Sequence, residues 1–250
     1  GPTSTLPSRQ DVMLSGRTPA QDLSIDKLLD RFANGSARQR RATTVALEKA
    51  ADALAAVAAE ALKPYEPSGD DWAAGWILQV LRRHQPEALA RIPRVESDGW
   101  FETPSARGID YSPMQRALLD EDFEEADRLT SCVLRELAGD QAVKRGYVYF
   151  SEVPPMEGLD LATLDRLWIA YSQGRFGFTV QARLLKALDG RYDRLWPRIG
   201  WKLDGTWTRY PGAFQWSMEA PEGHMPLINQ LRGVRLMDAL LSHPGLQPRI

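Results

Sequence analysis

Fourteen of the 22 Phe, Tyr and Trp residues of this chain lie between Tyr147 and Trp216. Its densest stretches are Gly174-Arg175-Phe176-Gly177-Phe178 and Trp196-Pro197-Arg198-Ile199-Gly200-Trp201, where aromatics are spaced by Gly, Pro and Arg and follow no clean helix or strand period. A core takes its aromatics from periodic faces, whereas a site for a flat ligand takes them from loops laid over a rigid scaffold. The segment therefore reads as loops carried by periodic elements elsewhere. The basic residues mixed into it point to a large, planar, anionic ligand.

The net charge of −2 conceals an asymmetry: residues 1–173 hold 20 basic against 27 acidic side chains, and residues 174–236 hold 10 against 5. The cationic excess thus sits on the aromatic segment, where nucleic acid or a small anion would both suit it. No apolar run approaches the roughly 18 residues of a membrane span. A single cysteine, Cys132, rules out an internal disulfide and a cysteine-based structural zinc site. Its place among Leu129, Val133 and Leu137 predicts a buried, inert thiol. His84, His224 and His243 are scattered without metal-ligand spacing, and neither a phosphate-binding glycine loop nor a Gly-x-Ser-x-Gly elbow occurs. A catalytic apparatus is not visible.

The periodic elements predict an all-α architecture in two parts. Residues 1–19, which begin with a Gly-Pro pair resembling the scar of a cleaved tag, read as a disordered lead. Leu23, Leu28, Leu29 and Phe32 mark a helix ended by Gly35, and Ser36 caps an Ala-rich helix running to Leu62 before Pro64. Trp72, Trp76, Ile77, Val80 and Leu81 mark a third helix, closed by Pro86. These form a helical module over residues 20–105, with 94–107 as a linker or joining strand. Ser112-Pro113 opens a further helix, and the stripe Phe123, Ala126, Leu129, Val133, Leu137 ends at Gly139. Helices then span about Leu161–Ser172 and Thr179–Leu188. Asp204-Gly205 is a hairpin-turn signal, and the last helix begins near Pro226 and carries Leu231, Val234, Met237 and Leu241 to the core. The acidic run from Asp120 to Glu125 sits where a helix begins, which favours its dipole.

Two constellations stand out. Asn229, Arg232 and Arg235, three residues apart, would share one helix face, from which two guanidinium forks could grip carboxylates; solvated surface arginines would give the same pattern. Phe176 and Phe178 would point to one side of an extended segment, with Gly177 leaving room for a stacked ring; a loop clamped into the core by two aromatic anchors fits equally. Tyr147, Tyr149 and Phe150 read as a half-buried strand that packs on the core, and Trp168 as core.

From about Gly108 to His243 the chain resembles the genomes-uncoupled-four family of tetrapyrrole-binding regulators of magnesium chelatase. The resemblance is carried by Gly108-Ile109-Asp110-Tyr111, Leu137-Ala138-Gly139, Tyr149-Phe150-Ser151-Glu152-Val153, Phe176-Gly177-Phe178, Leu195-Trp196-Pro197-Arg198-Ile199-Gly200-Trp201-Lys202, Gly223-His224 and Asn229-Gln230-Leu231-Arg232-Gly233-Val234-Arg235. It implies a cupped-hand, helical porphyrin-binding core with long loops over residues 106–243, preceded by the helical module and followed by a tail at 244–250. It also implies a regulator without enzymatic activity or catalytic cofactor, whose ligands are protoporphyrin IX and Mg-protoporphyrin IX. The implied partner is the large porphyrin-binding subunit of the chelatase, with no nucleic acid involved.

By the same resemblance, the binding positions are Phe150, Phe176, Phe178, Tyr210, Asn229, Arg232 and Arg235, with Tyr210 where the family has Trp. The setting implied is chlorophyll biosynthesis in the chloroplast stroma, peripherally on plastid membranes, or in the cytoplasm of an oxygenic photosynthetic bacterium. Roles in plastid-to-nucleus signalling and porphyrin photoprotection come with it. The competing reading is a helical protein-interaction adaptor whose basic aromatic surface binds no pigment.

Overall fold

Capping side chains set the helix starts in the first third of the chain. The computed structural model describes residues 24–230 and 233–250, so the expectations for residues 1–19, Leu23, Leu231 and Arg232 lie outside the described residues. The Ser24 hydroxyl accepts the Lys27 amide at the head of α1 (Ile25–Asn34), which Gly35 ends. Ser36 and Gln39 form a capping box on α2 (Ala37–Lys49), a device that satisfies two orphan amides at once. The Ala-rich stretch, expected as one helix, is interrupted at Ala50 and Val57 into α2, α3 (Ala51–Ala56) and α4 (Ala58–Ala61). These breaks let Leu47, Leu54, Ala58 and Leu62 all reach the core. Asp71 caps α5 (Trp72–His84), and a 3-10 turn follows at Pro86–Arg91. Residues 94–107 hold no strand; they turn, burying Val95, Trp100 and Phe101.

The second part begins with α6 (Ser112–Leu119), where Ser112 and Pro113 occupy the first turn and Tyr111 is the N-cap. The Ser112 hydroxyl donates to Asp110 instead of capping. Asp122 caps α7 (Phe123–Ala138), accepting the Glu125 amide, and Gly139 ends it. Then come α8 (Asp140–Arg145), α9 (Gly158–Ala170), α10 (Phe178–Ala187) and α11 (Tyr192–Arg198). An antiparallel hairpin pairs β1 (Lys202–Leu203) with β2 (Thr206–Trp207). Asp204 and Gly205 at its tip both take positive φ, 50° and 78°, the conformation a two-residue type I′ hairpin demands. The final helix, α12 (Arg235–Leu241), starts nine residues later than Pro226. Gly233, at φ 87°, interrupts the run two residues before it, and the Leu227 amide bonds the Asp127 carboxyl at 2.7 Å. Asn229 therefore does not share a helix face with Arg235.

Helix α9 is the axis of the molecule, buried along nearly its whole length. On one side α5 crosses it so closely that a Cβ on Gly75 would lie 1.9 Å from the Ala170 carbonyl oxygen. Gln79 of α5 seals the same junction by donating to the Leu118 and Tyr171 carbonyls at 3.0 and 2.8 Å. On the other side the Trp168 indole donates to Thr130 of α7 at 2.9 Å. One buried cluster runs from Leu28 to Leu246.

The Phe176-Gly177-Phe178 turn belongs to this core. Both rings are fully buried, and Phe176 meets Phe123 edge-on at 5.7 Å. Gly177, at φ 134°, is the N-cap of α10, and Phe178 is already the first residue of that helix. A Cβ there would strike the Asp165 carboxylate at 2.9 Å. Of the two readings of this turn, the anchoring one describes where the rings lie in this structure. Phe176→Ala should cost about 3–5 kcal/mol of stability, read as a lowered urea midpoint; an unchanged midpoint would contradict the anchoring role.

Candidate functional site

A cleft of about 810 Å³ opens between α7, the hairpin, the 208–216 loop, the 225–230 loop and α12. Helix α7 supplies Asp127, Arg128, Ser131, Leu134 and Arg135. Trp201, Trp207, Tyr210 and Phe214 supply an aromatic wall, and Leu227, Ile228, Asn229 and Gln230 line the cleft from the second loop. Such a cleft, mainly apolar with a few convergent polar groups, is the usual form of a small-molecule site.

The wall is stiff because its rings brace one another. Trp196 stacks on Trp201 at 5.7 Å with planes 9° apart and meets Trp207 at 5.5 Å. Tyr210 packs edge-on against Phe214 and Trp216 at 5.8 and 5.9 Å. His224 ties this wall together from behind. It is buried, and burial holds its pKa below the usual imidazole range. Its Nε2 accepts the Gln215 amide at 3.2 Å, so Nδ1–H is the donor to the Ile199 carbonyl at 2.7 Å. The Trp201 indole donates to the His224 carbonyl at 2.8 Å. Histidine serves here as scaffold, as does His243, which bonds the Met156 carbonyl.

Phe176 and Phe178 stand behind the second loop. Their turn donates the Gly177 amide to the Met225 carbonyl at 3.0 Å, and the Gln181 amide group binds the Gly223 and Pro226 carbonyls at 3.0 and 2.9 Å. The turn thus fixes the chain that presents Leu227 to the cleft. Of the other expected positions, Tyr210 and Asn229 line the cleft. Phe150 and Arg235 lie at its rim, next in sequence or nearly so to the lining residues Val148 and Leu236, and pair with each other: the guanidinium sits 5.2 Å over the ring. Phe150 is 45% exposed, and it opens a 3-10 turn, Phe150–Glu152, in place of the expected half-buried strand. The cause is local: the Glu152 carboxylate accepts the Tyr149 amide at 2.7 Å and pairs with Arg145. Arg232 lies outside the described residues.

Sequence reasoning missed the α7 wall. Arg128 is engaged with Glu125, whereas Arg135 reaches the Cys132 sulfur at 3.2 Å, and no carboxylate pairs with it among the described residues. Cys132 is accordingly half-buried beside two guanidiniums, not a core thiol. The spacing of Arg128, Ser131 and Arg135 by three and four residues was a legible helix-face signal.

Comparison with known proteins agrees with this architecture. The sequence pattern of the GUN4-like family matches residues 104–244. A Ycf53-like protein of Synechocystis is 47% identical over 173 residues, covering 69% of this chain and 74% of that one. The chloroplastic tetrapyrrole-binding protein of Arabidopsis thaliana is 38% identical over 144 residues, 54% of each chain. The structure of GUN4 from Chlamydomonas reinhardtii superposes with a TM-score of 0.54 at 39% identity, covering 58% of this chain and 94% of that one. With the family pattern spanning more than half its length and its helices superposing on a solved member, this chain belongs to the GUN4-like family.

Proposed function

We propose that the cleft binds a tetrapyrrole, protoporphyrin IX or its magnesium complex, and that the protein delivers or presents this ligand to magnesium chelatase as a regulator without catalysing a reaction itself. The observation that carries the reading is the pairing of a braced aromatic wall, Trp201 to Phe214, with a guanidinium on the facing helix, Arg135, that no carboxylate engages among the described residues. The tetrapyrrole-binding name of the Arabidopsis relative supports it.

A porphyrin is an apolar disc with two propionates on one edge. Trp207, Tyr210, Leu227 and Leu236 would take a macrocycle face out of water, and Arg135 would receive one propionate. Burying about 300 Å² of ligand at 25 cal/mol per Å² contributes on the order of 7 kcal/mol, which ordering costs reduce. About 7 kcal/mol corresponds to a Kd of roughly 10 μM, so modest affinity follows, suited to a protein that must release its cargo. Magnesium, already held by four pyrrole nitrogens, needs no ligand from the protein. Arg235 and Phe150 at the rim stand where a partner subunit would reach the pigment, and the large porphyrin-binding subunit of the chelatase is the partner proposed. The activity proposed belongs to chlorophyll synthesis in a plastid or an oxygenic photosynthetic bacterium, with signalling and photoprotection as downstream consequences; the chloroplastic Arabidopsis relative and the Synechocystis relative are consistent with that setting.

Deuteroporphyrin IX, with and without magnesium, should quench tryptophan fluorescence saturably, since five of the eight tryptophans lie between Trp168 and Trp216. Absence of saturable quenching would favour the pigment-free adaptor. Arg135→Ala should weaken binding by about 1–3 kcal/mol, the loss of a charge-assisted pair, and an unchanged Kd would remove it from the site. Tyr210→Ala, which strips an exposed ring from the wall, should raise Kd while leaving the circular dichroism spectrum intact; unaltered affinity would place the macrocycle elsewhere.

A further inference from the structure

The cleft contains one group that an anionic ligand does not call for. Asp127 lines it, yet its side chain is 1% exposed. It stands on α7 one residue beyond the core stripe position Ala126, so the helix itself delivers a carboxyl group to the cleft side. There the carboxyl accepts the Leu227 amide at 2.7 Å, a contact between residues 100 apart in the chain. Tyr210, on the 208–216 loop, faces the same carboxyl. One side chain thus holds the 225–230 loop to α7 through the loop's backbone and meets the 208–216 loop at Tyr210. Stranding the Leu227 amide would leave a part-buried donor unpaired, which proteins rarely tolerate.

We propose that Asp127 is the positioning residue of this cleft, tethering the 225–230 loop to α7, and that ligand binding draws a proton from solvent onto its carboxyl group. The inference rests on the tetrapyrrole reading for its ligand and on the geometry for its tether.

Burial is the largest influence on this carboxyl and raises its pKa to about 7; the Leu227 amide opposes the rise, Glu124 on the preceding turn of α7 adds to it, and the Tyr210 hydroxyl opposes it. Tyr210 itself faces Glu124 and Arg128. An apolar disc laid across the cleft removes water from its mouth and penalises the ionised form further. Complexed protein then holds more protons than free protein near neutrality, and by linkage the affinity falls as pH rises through about 7. The proton adds to a carboxylate oxygen, converting a buried anion that would repel the propionates into a neutral acid.

The test follows deuteroporphyrin IX binding to the whole chain by tryptophan quenching, between about pH 6 and pH 8.5. For the unaltered protein, Kd should rise on the order of three- to tenfold across a transition near pH 7, tenfold corresponding to one unit of pKa shift on binding. Asp127→Asn keeps an acceptor for the Leu227 amide and removes the titration, so its profile should lack this transition. Tyr210→Phe removes only a hydroxyl from an exposed ring, and should move the midpoint to higher pH because that hydroxyl favours the ionised form. The porphyrin propionates titrate alike in all three experiments, so differences between proteins isolate Asp127.

Parallel profiles for the unaltered protein and Asp127→Asn would overturn the inference. Were Asp127→Asn unable to fold, an unshifted midpoint in Tyr210→Phe would overturn it instead. Saturable binding without pH dependence would refute this inference alone, whereas no saturable binding at any pH would refute the tetrapyrrole reading with it.

Discussion

A buried charge must be paired, and the helix α9 carries three. Asp160 accepts from the Ser105 hydroxyl at 2.5 Å, the Ala106 amide at 3.0 Å and the Tyr111 hydroxyl at 2.8 Å. Asp165 accepts the Thr179 amide and hydroxyl at 2.9 and 2.7 Å and the Arg249 guanidinium at 2.9 Å. Arg166 donates to the carbonyls of Pro67, Gly69 and Glu102. Each charge is satisfied by different segments: removing Arg249 would leave Asp165 without its ionic partner, at a cost of several kcal/mol, and removing one neutral partner of Asp160 or Arg166 would cost about 1–3 kcal/mol. The helix therefore dictates where the 67–71 turn, the 102–111 segment, the start of α10 and the C-terminal tail must lie. Arg249 closes the set by bridging Asp165 to Asp70 at 2.9 and 2.7 Å.

The cleft inherits its geometry from that axis. Trp168 on α9 holds Thr130 on α7, which sets the rotation of α7 and so turns Asp127, Ser131 and Arg135 to one side. Asp165 fixes the Gly177 turn, which fixes Met225, which places Leu227. Both walls of the cleft are thus only a few bonded contacts from one helix, and its loops are positioned by polar contacts as much as by apolar packing. A site built in this way can present adaptable loop side chains to a flat ligand without losing its shape.

Much of the fold was legible in the chain. Local signals with a single physical cause were read correctly: the Ser36 cap, the Gly35 and Gly139 stops, the Asp204-Gly205 turn and the core place of Trp168. The misreadings share a cause as well. Asn229 and Arg235 are spaced as on one helix face, but the spacing could not reveal that Gly233, at positive φ, interrupts the run before α12 begins. Phe176 and Phe178 flank a glycine just as ligand-stacking residues do; only Phe123 and Asp165, distant in sequence, decide that they face inward. Arg135 was hidden for the opposite reason, because an arginine beside an apolar stripe looks like ordinary solvated surface until the facing loops are in place. Local chemistry was readable, and pairings across long separations were not.

A structure of the protein crystallised with the magnesium complex of deuteroporphyrin IX tests the central claim most directly. Density for a macrocycle lying over Trp207, Tyr210 and Leu227, with a propionate within hydrogen-bond reach of Arg135, is the result expected. A macrocycle seated on the outer face of Phe150 and Arg235, or a cleft left open beside saturating ligand, would contradict it.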